Sequence, residues 1–164
     1  MKSNIVSVGK DSVDVLLGFG SNLGDRRRFI ESGWLSVCGL EGVEPICLSS
    51  LIETVAVGCG ENQPDFLNAV GLIRTNLYPE ILLDKLQAIE YSFGRVRTIR
   101  WCARTLDIDI LLFGDFVIDS PRLKIPHPLM FERDFVLIPA KEIASEMIKT
   151  AEKKFKFAIR NSDF

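Results

Sequence analysis

The sequence has only one histidine, and no two of its four cysteines have CxxC spacing. A zinc site built from cysteine and histidine is therefore poorly supported. The longest uncharged run, Val15–Gly24, has ten residues, whereas a membrane-spanning helix needs about 20. The N-terminal segment lacks an apolar core and reaches Asp11 early, so we expect no secretory signal. We expect reduced, mostly buried thiols and a cytoplasmic protein.

The sequence also lacks an excess of either charge, because 20 basic residues are balanced by 22 acidic ones, for a net charge of −2. This balance argues against nucleic acid or an anionic membrane as a partner. The 164 residues are 47% apolar, which is enough for a hydrophobic core in one domain. We expect a monomer with a single domain over residues 1–164, of which residues 1–12 form a loose extension.

The two common glycine motifs for phosphate binding are missing. The turn Gly18–Leu23 (GFGSNL) lacks the last glycine of the G-x-G-x-x-G dinucleotide fingerprint. No G-x-x-x-x-G-K-[ST] segment occurs anywhere in the chain. If the chain binds ATP, it therefore uses neither a Rossmann turn nor a P-loop.

Hydrophobic patterns predict strands alternating with helices. Strands are predicted over Val13–Gly20, Glu44–Thr54, Phe66–Arg74 and Thr105–Phe113, with Phe116–Asp119 returning as a hairpin arm after a Gly114-Asp115 turn. Helices are predicted from an Asp25 N-cap to about Val37, from Pro79 to about Phe93 with a stripe of Ile81, Leu82, Leu86 and Ile89, and over Asp134–Ala144. Residues 55–65 and 94–103 are predicted loops. This order favours an α+β, ferredoxin-like sandwich with a mainly antiparallel sheet, and a doubly wound parallel sheet is second.

Asp107 and Asp109 are the strongest local signal for chemistry. Residues two apart in a strand share a face and lie about 6.8 Å apart. Leu106, Ile108, Ile110 and Leu112 would then take the opposite face. Carboxylate oxygens suit Mg²⁺, which keeps waters and substrate phosphates as its other ligands. An ordinary amphipathic strand with a solvated outer face explains the pair about equally well.

Arginines are concentrated just before these aspartates, at Arg95, Arg97, Arg100 and Arg104. Guanidinium groups match phosphate oxygens in bidentate geometry, and such a loop could close over a polyphosphate. A solvated basic loop is the competing interpretation. The position between a helix end and the aspartate strand favours phosphate binding. Trp101 either stacks on a base or anchors the loop.

Three further residues are weaker candidates. His127 lies between two prolines and just after basic residues, so it is either a phosphate donor or a structural histidine. Gln87 and Glu90 are three apart and share one helix face. Without further observations, a solvated face is the preferred interpretation of that pair.

The segment Arg100–Leu111 (RWCARTLDIDIL) resembles the signature of the 6-hydroxymethyl-7,8-dihydropterin pyrophosphokinase family of folate biosynthesis. Further segments resemble the same family in the same order: FGSNLGD near the start, QPDFLNAV at 63–70, Gln87 to Glu90, Gly94–Arg97 and Ile125–Pro128. The resemblance covers about Val15 to Ala144. Cys102 stands where the family usually has glycine or alanine, and Phe66 stands where some members have tyrosine.

The resemblance implies transfer of a pyrophosphoryl group from ATP to the hydroxymethyl group of the pterin, with release of AMP. It implies that Asp107 and Asp109 hold two Mg²⁺ ions, and that Arg95 and Arg104 contact the phosphates or the transition state. Other implied ATP-binding residues are Gln87, Glu90, Arg97, Arg100, Trp101, Ile110, Arg122, His127 and Arg133. Implied pterin-binding residues are Thr54, Val57, Phe66, Asn68 and Phe135, with the two phenylalanines sandwiching the ring. We expect ATP to enter before the pterin is firmly held.

Two other classes of protein compete with this interpretation. One is a catalytically inactive, ferredoxin-like module that binds a nucleotide or RNA. The near-neutral charge and the paired aspartates argue against RNA, and no motif position has been lost. The other is a different metal-dependent phosphotransferase, in which Phe66, Asn68 and Phe135 would have no purpose.

Overall fold

The computed structural model describes residues 11–55, 64–94 and 104–161, with side chains described as far as Lys156. The strands there are β1 Val13–Ser21, β2 Val43–Leu48, β3 Ile52–Thr54, β4 Phe66–Thr75, β5 Asp107–Phe113, β6 Ile118–Asp119 and β7 Lys124–Ile125. The helices are α1 Arg26–Cys38, α2 Pro79–Ser92 and α3 Asp134–Asn161, with a 3₁₀ turn at Met130–Glu132. No helix in these ranges is both long and apolar enough to cross a bilayer.

The main sheet has the order β2-β4-β1-β5, and β3 also pairs with β4. Every pair in it is antiparallel, so the predicted α+β class is confirmed and the parallel alternative is wrong. The central strand β1 places Gly20 opposite Asn68 of β4 on one side and Asp107 of β5 on the other. Two chain segments that are far apart in sequence therefore meet at one end of the sheet.

Helices cover both faces of this sheet. Val15, Leu17 and Phe19 of β1 face the core formed with α1 and α2. Leu16 lies in a second core, formed with Val136, Ala140 and Ile148 of α3 and completed by Val70 of β4. The alternation of apolar residues along β1 thus fills both layers, as expected for a strand that is buried on its two faces.

The predicted helix starts are confirmed by their caps. The Asp25 carboxylate accepts a hydrogen bond from the Arg28 N–H at 3.1 Å, and Pro79 lies in the first turn of α2. The helix predicted over Asp134–Ala144 is present and its regular geometry breaks at Ala144, which is non-helical (φ −146°, ψ 45°). The prediction missed the second helical stretch, which continues α3 beyond this kink to Asn161.

The predicted strand over 44–54 is two strands, because serines interrupt the pairing with β4. The Ser49 hydroxyl accepts the Val70 N–H at 2.9 Å. The Ser50 N–H and hydroxyl both donate to the Glu142 carboxylate, at 3.0 and 2.9 Å. Local side-chain partners of this kind replace the regular ladder.

The predicted hairpin after β5 is also wrong. Gly114 does turn the chain (φ 50°), but β6 pairs with β7 and not with β5. The outer edge of β5 has other partners: the Glu90 carboxylate of α2 accepts the N–H of Ile108 at 2.7 Å, and the Leu111 carbonyl accepts the N–H of His127 at 2.9 Å. A returning strand therefore has no free edge at this point.

Two details of the predicted core and thiols differ. In α2 the buried stripe includes Leu83 in place of Ile81, which is 46% exposed. Cys38 and Cys47 are free thiols, as predicted, but both are half-buried. Cys59 and Cys102 lie outside the described residues, as do residues 1–10 of the predicted extension.

Candidate active site

A cavity of about 610 Å³ opens at the face of the sheet that α3 covers. Its walls come from β1, β3, β4, β5 and the segment that leads into α3. The lining residues are Gly18, Phe19, Gly20, Thr54, Val55, Phe66, Asn68, Ala69, Val70, Arg104, Asp107, Asp109, Leu111, His127, Leu129, Arg133, Phe135 and Val136.

Two glycines of β1 keep this space open. Gly18 and Gly20 are two apart, so both face the cavity. A Cβ on Gly18 would lie 3.3 Å from the Leu111 side chain, and one on Gly20 would lie 3.4 Å from Asn68 Oδ1. Side chains at these positions would project into the space between Asn68 and the aspartates. The glycines are therefore the site residues that the sequence analysis missed, although their alternation in Gly-Phe-Gly was a usable signal.

Asp107 and Asp109 of β5 both line the cavity, as their two-residue spacing predicts. Ile108 and Ile110 are buried in the opposite core, also as predicted. Leu112 is not, because the pairing register between β1 and β5 shifts at Leu16/Leu17. This irregularity returns Leu112 to the α3 side of the sheet.

Arg104 forms an ion pair with Asp107 through Nη1 and Oδ2, and the two side chains are 26% and 16% exposed. The backbone of Arg104 is fixed by the buried Asn22. Its N–H donates to Asn22 Oδ1 at 2.7 Å, and its carbonyl accepts the Asn22 N–H at 3.0 Å. A cation and two carboxylates are thus held together in one cavity.

His127 brings a nitrogen ligand or donor to the same cavity. Its Nδ1 accepts the N–H of Leu129 at 3.3 Å, so Nδ1 is unprotonated and the neutral ring carries its proton on Nε2. Burial and the positive charge of Arg133 lower the pKa of His127, and Asp107 opposes them. His127 is therefore a neutral N–H donor around pH 7.

The other part of the cavity is lined by two aromatic rings and two polar side chains. These are Phe66 and Phe135, with Asn68 and Thr54. Asn68 Nδ2 donates to Thr54 Oγ1 at 2.9 Å, which fixes the amide orientation. The guanidinium carbon of Arg133 lies 5.6 Å from the centre of the Phe135 ring, within cation–π range. Flat apolar faces and a fixed amide suit a planar polar heterocycle.

Four predicted residues lie outside this cavity. Glu90 is 2% exposed, and Ile110 is buried in the core with α1 and α2. Arg122 pairs with Asp84 at the surface at 2.6 Å. Gln87 is half-buried on α2. The remaining predicted residues, Val57, Arg95, Arg97, Arg100 and Trp101, lie outside the described residues.

Oxygen ligands for a divalent metal come from two side chains. Asp107 and Asp109 are hard carboxylate ligands beside space that a phosphate could fill, which is the donor set that Mg²⁺ prefers. In residues 11–55, 64–94 and 104–161, no group of three or more His, Cys, Asp or Glu side chains converges on a metal position.

Known proteins resemble this chain over most of its length. The sequence profile of 7,8-dihydro-6-hydroxymethylpterin-pyrophosphokinase (HPPK) matches residues 16–145. The 2-amino-4-hydroxy-6-hydroxymethyldihydropteridine pyrophosphokinase of Haemophilus influenzae is 40% identical over 136 residues, covering 83% of this chain and 84% of the relative. The protein of the same name from Pseudomonas aeruginosa is 44% identical over 133 residues, covering 81% of this chain and 82% of the relative.

Solved structures share the fold. Plasmodium falciparum HPPK-DHPS A437G with pteroate superposes with a TM-score of 0.64 at 16% identity, covering 85% of this chain. This chain spans 41% of that longer one. The profile match and the two bacterial relatives agree over most of the chain. The chain belongs to the 7,8-dihydro-6-hydroxymethylpterin-pyrophosphokinase family.

Proposed function

We propose that the cavity is the active site at which this pyrophosphokinase acts. The reaction is that of the family: the pyrophosphoryl group of ATP passes to the hydroxymethyl group of 6-hydroxymethyl-7,8-dihydropterin, a step of folate biosynthesis. The products are the pterin diphosphate and AMP. The observation that supports this location is that one cavity contains both the charged side chains, Asp107, Asp109 and Arg104, and the aromatic rings of Phe66 and Phe135 beside Asn68.

The charged part of the cavity is the proposed phosphate site. Asp107 and Asp109 would hold Mg²⁺, for which we propose two ions. A divalent ion held by these carboxylates would supply positive charge to offset the negative charge that develops on the phosphates during transfer. Arg104 and His127 would donate to phosphate oxygens from the protein side. Donors fixed in this way stabilise the transition state without having to reorganise.

The aromatic part is the proposed pterin site. Phe66 and Phe135 offer faces to the ring, and Asn68 offers hydrogen bonds to its polar edge. The hydrogen bond from Asn68 to Thr54 fixes that amide before the substrate arrives. Fixing both substrates in one cavity turns the attack of the hydroxyl on the β-phosphorus into an effectively intramolecular step.

The remaining sequence predictions complete the proposal. Arg95, Arg97, Arg100 and Trp101 are proposed ATP ligands from the segment before Arg104. We also propose a monomer, as expected from the sequence. The free thiols of Cys38 and Cys47 support the proposed cytoplasmic location.

The test is AMP formation from ATP and Mg²⁺, with and without the pterin. Wild type and Asp119→Asn, a change to an exposed acid outside the cavity, should form AMP only when pterin is present. Asp107→Asn should lower kcat by about 10²–10³, as expected when a preorganised electrostatic group is lost. ADP in place of AMP would contradict pyrophosphoryl transfer. Full activity of Asp107→Asn would place the active site elsewhere.

A further inference from the structure

We propose that Glu90 is a positioning residue, which holds the Asp107–Asp109 segment in place from behind the sheet. The proposal rests on the proposed function, in which these aspartates bind the metal. The resemblance assigned Glu90 to the nucleotide. Glu90 is instead buried, at 2% exposure, and is not among the residues that line the cavity.

The edge of the sheet explains why this carboxylate is needed. Among the residues that the structure describes, β5 is the last strand of the main sheet beyond β1, so alternate N–H groups along it have no neighbouring strand of that sheet to accept them. Ile108 is 3% exposed, and its N–H donates to Glu90 Oε1 at 2.7 Å. A buried N–H without an acceptor is costly, roughly 1–3 kcal/mol. The side chain of α2 therefore does at Ile108 what a further strand would otherwise do.

The acceptor is itself firmly held. Leu82, Leu86 and Ile89 of α2 are buried in the core against the sheet, so the helix that carries Glu90 has little freedom. Burying a carboxylate is unfavourable unless it is well hydrogen-bonded. A buried carboxylate at this point indicates that its hydrogen-bonding capacity is needed, because an apolar side chain would pack there without the cost of burying a charge.

The position of the hydrogen bond links it to the metal site. Ile108 is the residue between Asp107 and Asp109, and its side chain points into the core while theirs line the cavity. Fixing the Ile108 N–H fixes the peptide plane that joins Asp107 to Ile108. The two carboxylates then keep their spacing before any metal arrives. Loss of such a supporting contact lowers metal affinity or activity about 10–100-fold in other metal sites.

Two substitutions separate this role from a charge effect. Glu90→Gln keeps an oxygen acceptor without the negative charge, whereas Glu90→Met keeps the size and loses the acceptor. Glu80→Gln is the matched control, because Glu80 is an exposed acid in the first turn of the same helix. The probe is Mn²⁺, titrated by electron paramagnetic resonance with and without α,β-methylene-ATP. Backbone amide exchange at Ile108, followed by NMR, reports the hydrogen bond directly.

We expect Glu90→Met to bind Mn²⁺ about tenfold more weakly and to lose exchange protection at Ile108. Glu90→Gln should retain the protection and stay within about twofold of wild type in Mn²⁺ affinity. Equal weakening in both variants would overturn the proposal in favour of charge. A raised KM for ATP in Glu90→Gln with unchanged Mn²⁺ binding would also overturn it and restore the nucleotide role.

Two further outcomes are decisive. If Glu90→Met does not fold, Ile108 protection in wild type and in Glu90→Gln still decides the matter, since rapid exchange in either would contradict the hydrogen bond. Failure of the proposed function is recognised separately. It would appear as absent AMP formation in wild type and Glu80→Gln, whatever the Mn²⁺ and exchange results.

Discussion

Arg104 and Asp107 form an ion pair inside the cavity, so a side-chain cation contacts one of the carboxylates proposed to bind metal. A divalent ion at Asp107 must share or displace this guanidinium. Once displaced, the guanidinium is available to phosphate oxygens, which it can also bind in bidentate geometry. The pair thus links metal binding to phosphate binding.

Arg104→Met should therefore change metal and nucleotide binding in opposite directions. Removing the positive charge should strengthen Mn²⁺ binding without nucleotide by about fivefold, or roughly 1 kcal/mol. It should also weaken kcat/KM for ATP by about 10² because a phosphate donor is lost. Mn²⁺ titration and steady-state kinetics measure the two effects. Lys124→Met, which removes a surface cation paired with Asp119, should change neither. Unchanged Mn²⁺ affinity in Arg104→Met would contradict the link.

Gly20→Val should fold and yet close the cavity. Gly20 has no left-handed φ, and valine favours strands, so we expect a change in the free energy of unfolding within about 1 kcal/mol. Its side chain would extend from a point 3.4 Å from Asn68 Oδ1 into the space between the two proposed substrate sites. Pterin binding, measured by fluorescence titration with the ATP analogue present, should weaken at least about tenfold. Gly39→Ala, at the end of α1, is the control with unchanged affinity. Normal pterin binding by Gly20→Val would argue against the proposed location.

Phe135→Ala should weaken pterin binding about 10–100-fold, because one aromatic face stacked on a heterocycle contributes roughly 1–3 kcal/mol. The same titration checks this, and Phe116→Ala is the control, because Phe116 is 48% exposed and outside the cavity lining. Phe135→Leu separates stacking from simple contact, since leucine restores bulk without a flat face. Equal affinity of wild type and Phe135→Leu would mean that bulk alone is needed.

Strand β5 shows which features could be predicted from the sequence and which could not. Alternation alone placed Asp107 and Asp109 on one face and Ile108 on the other, because side-chain direction in a strand depends on spacing. It failed at Leu112, since the shift at Leu16/Leu17 arises from how β5 pairs with β1. A register irregularity belongs to two strands, so one strand's own pattern cannot predict it.

Helix α2 shows a different limit. The three-residue spacing of Gln87 and Glu90 predicts a shared face but not what covers that face. Only the packing of α2 against β5 shows that Glu90 is buried. The hairpin arm fails for a related reason, because the Leu111 carbonyl on the edge of β5 accepts the N–H of His127 from a later segment. Both errors therefore come from tertiary contacts that the local pattern does not contain.

The corrected stripe of α2 gives a stability test. Leu86 is fully buried, whereas Ile81, which the sequence placed in the same stripe, is 46% exposed. Leu86→Ala should lower the free energy of unfolding by about 2–5 kcal/mol, the usual cost of removing a buried leucine side chain. Ile81→Ala should change it by less than about 1 kcal/mol. Urea unfolding with a common m-value measures both. Similar losses in the two variants would contradict the placement of α2.

The environment of His127 predicts a pH dependence of stability with a definite sign. Burial, followed by the charge of Arg133, lowers the pKa of His127 in the folded protein below the usual value of about 6.5. In the pH range between those two values the unfolded chain binds more protons than the folded one, so acidification favours unfolding. Protonation at Nδ1 would also break the hydrogen bond from the Leu129 N–H. His127→Gln has no such titration. The unfolding free energy of wild type minus that of His127→Gln should therefore be constant above about pH 7.5 and fall steadily below pH 6.5, measured by urea unfolding at each pH. A difference that increases on acidification would mean that the folded protein stabilises the charged ring, and that His127 meets phosphate as a cation and not as a neutral donor.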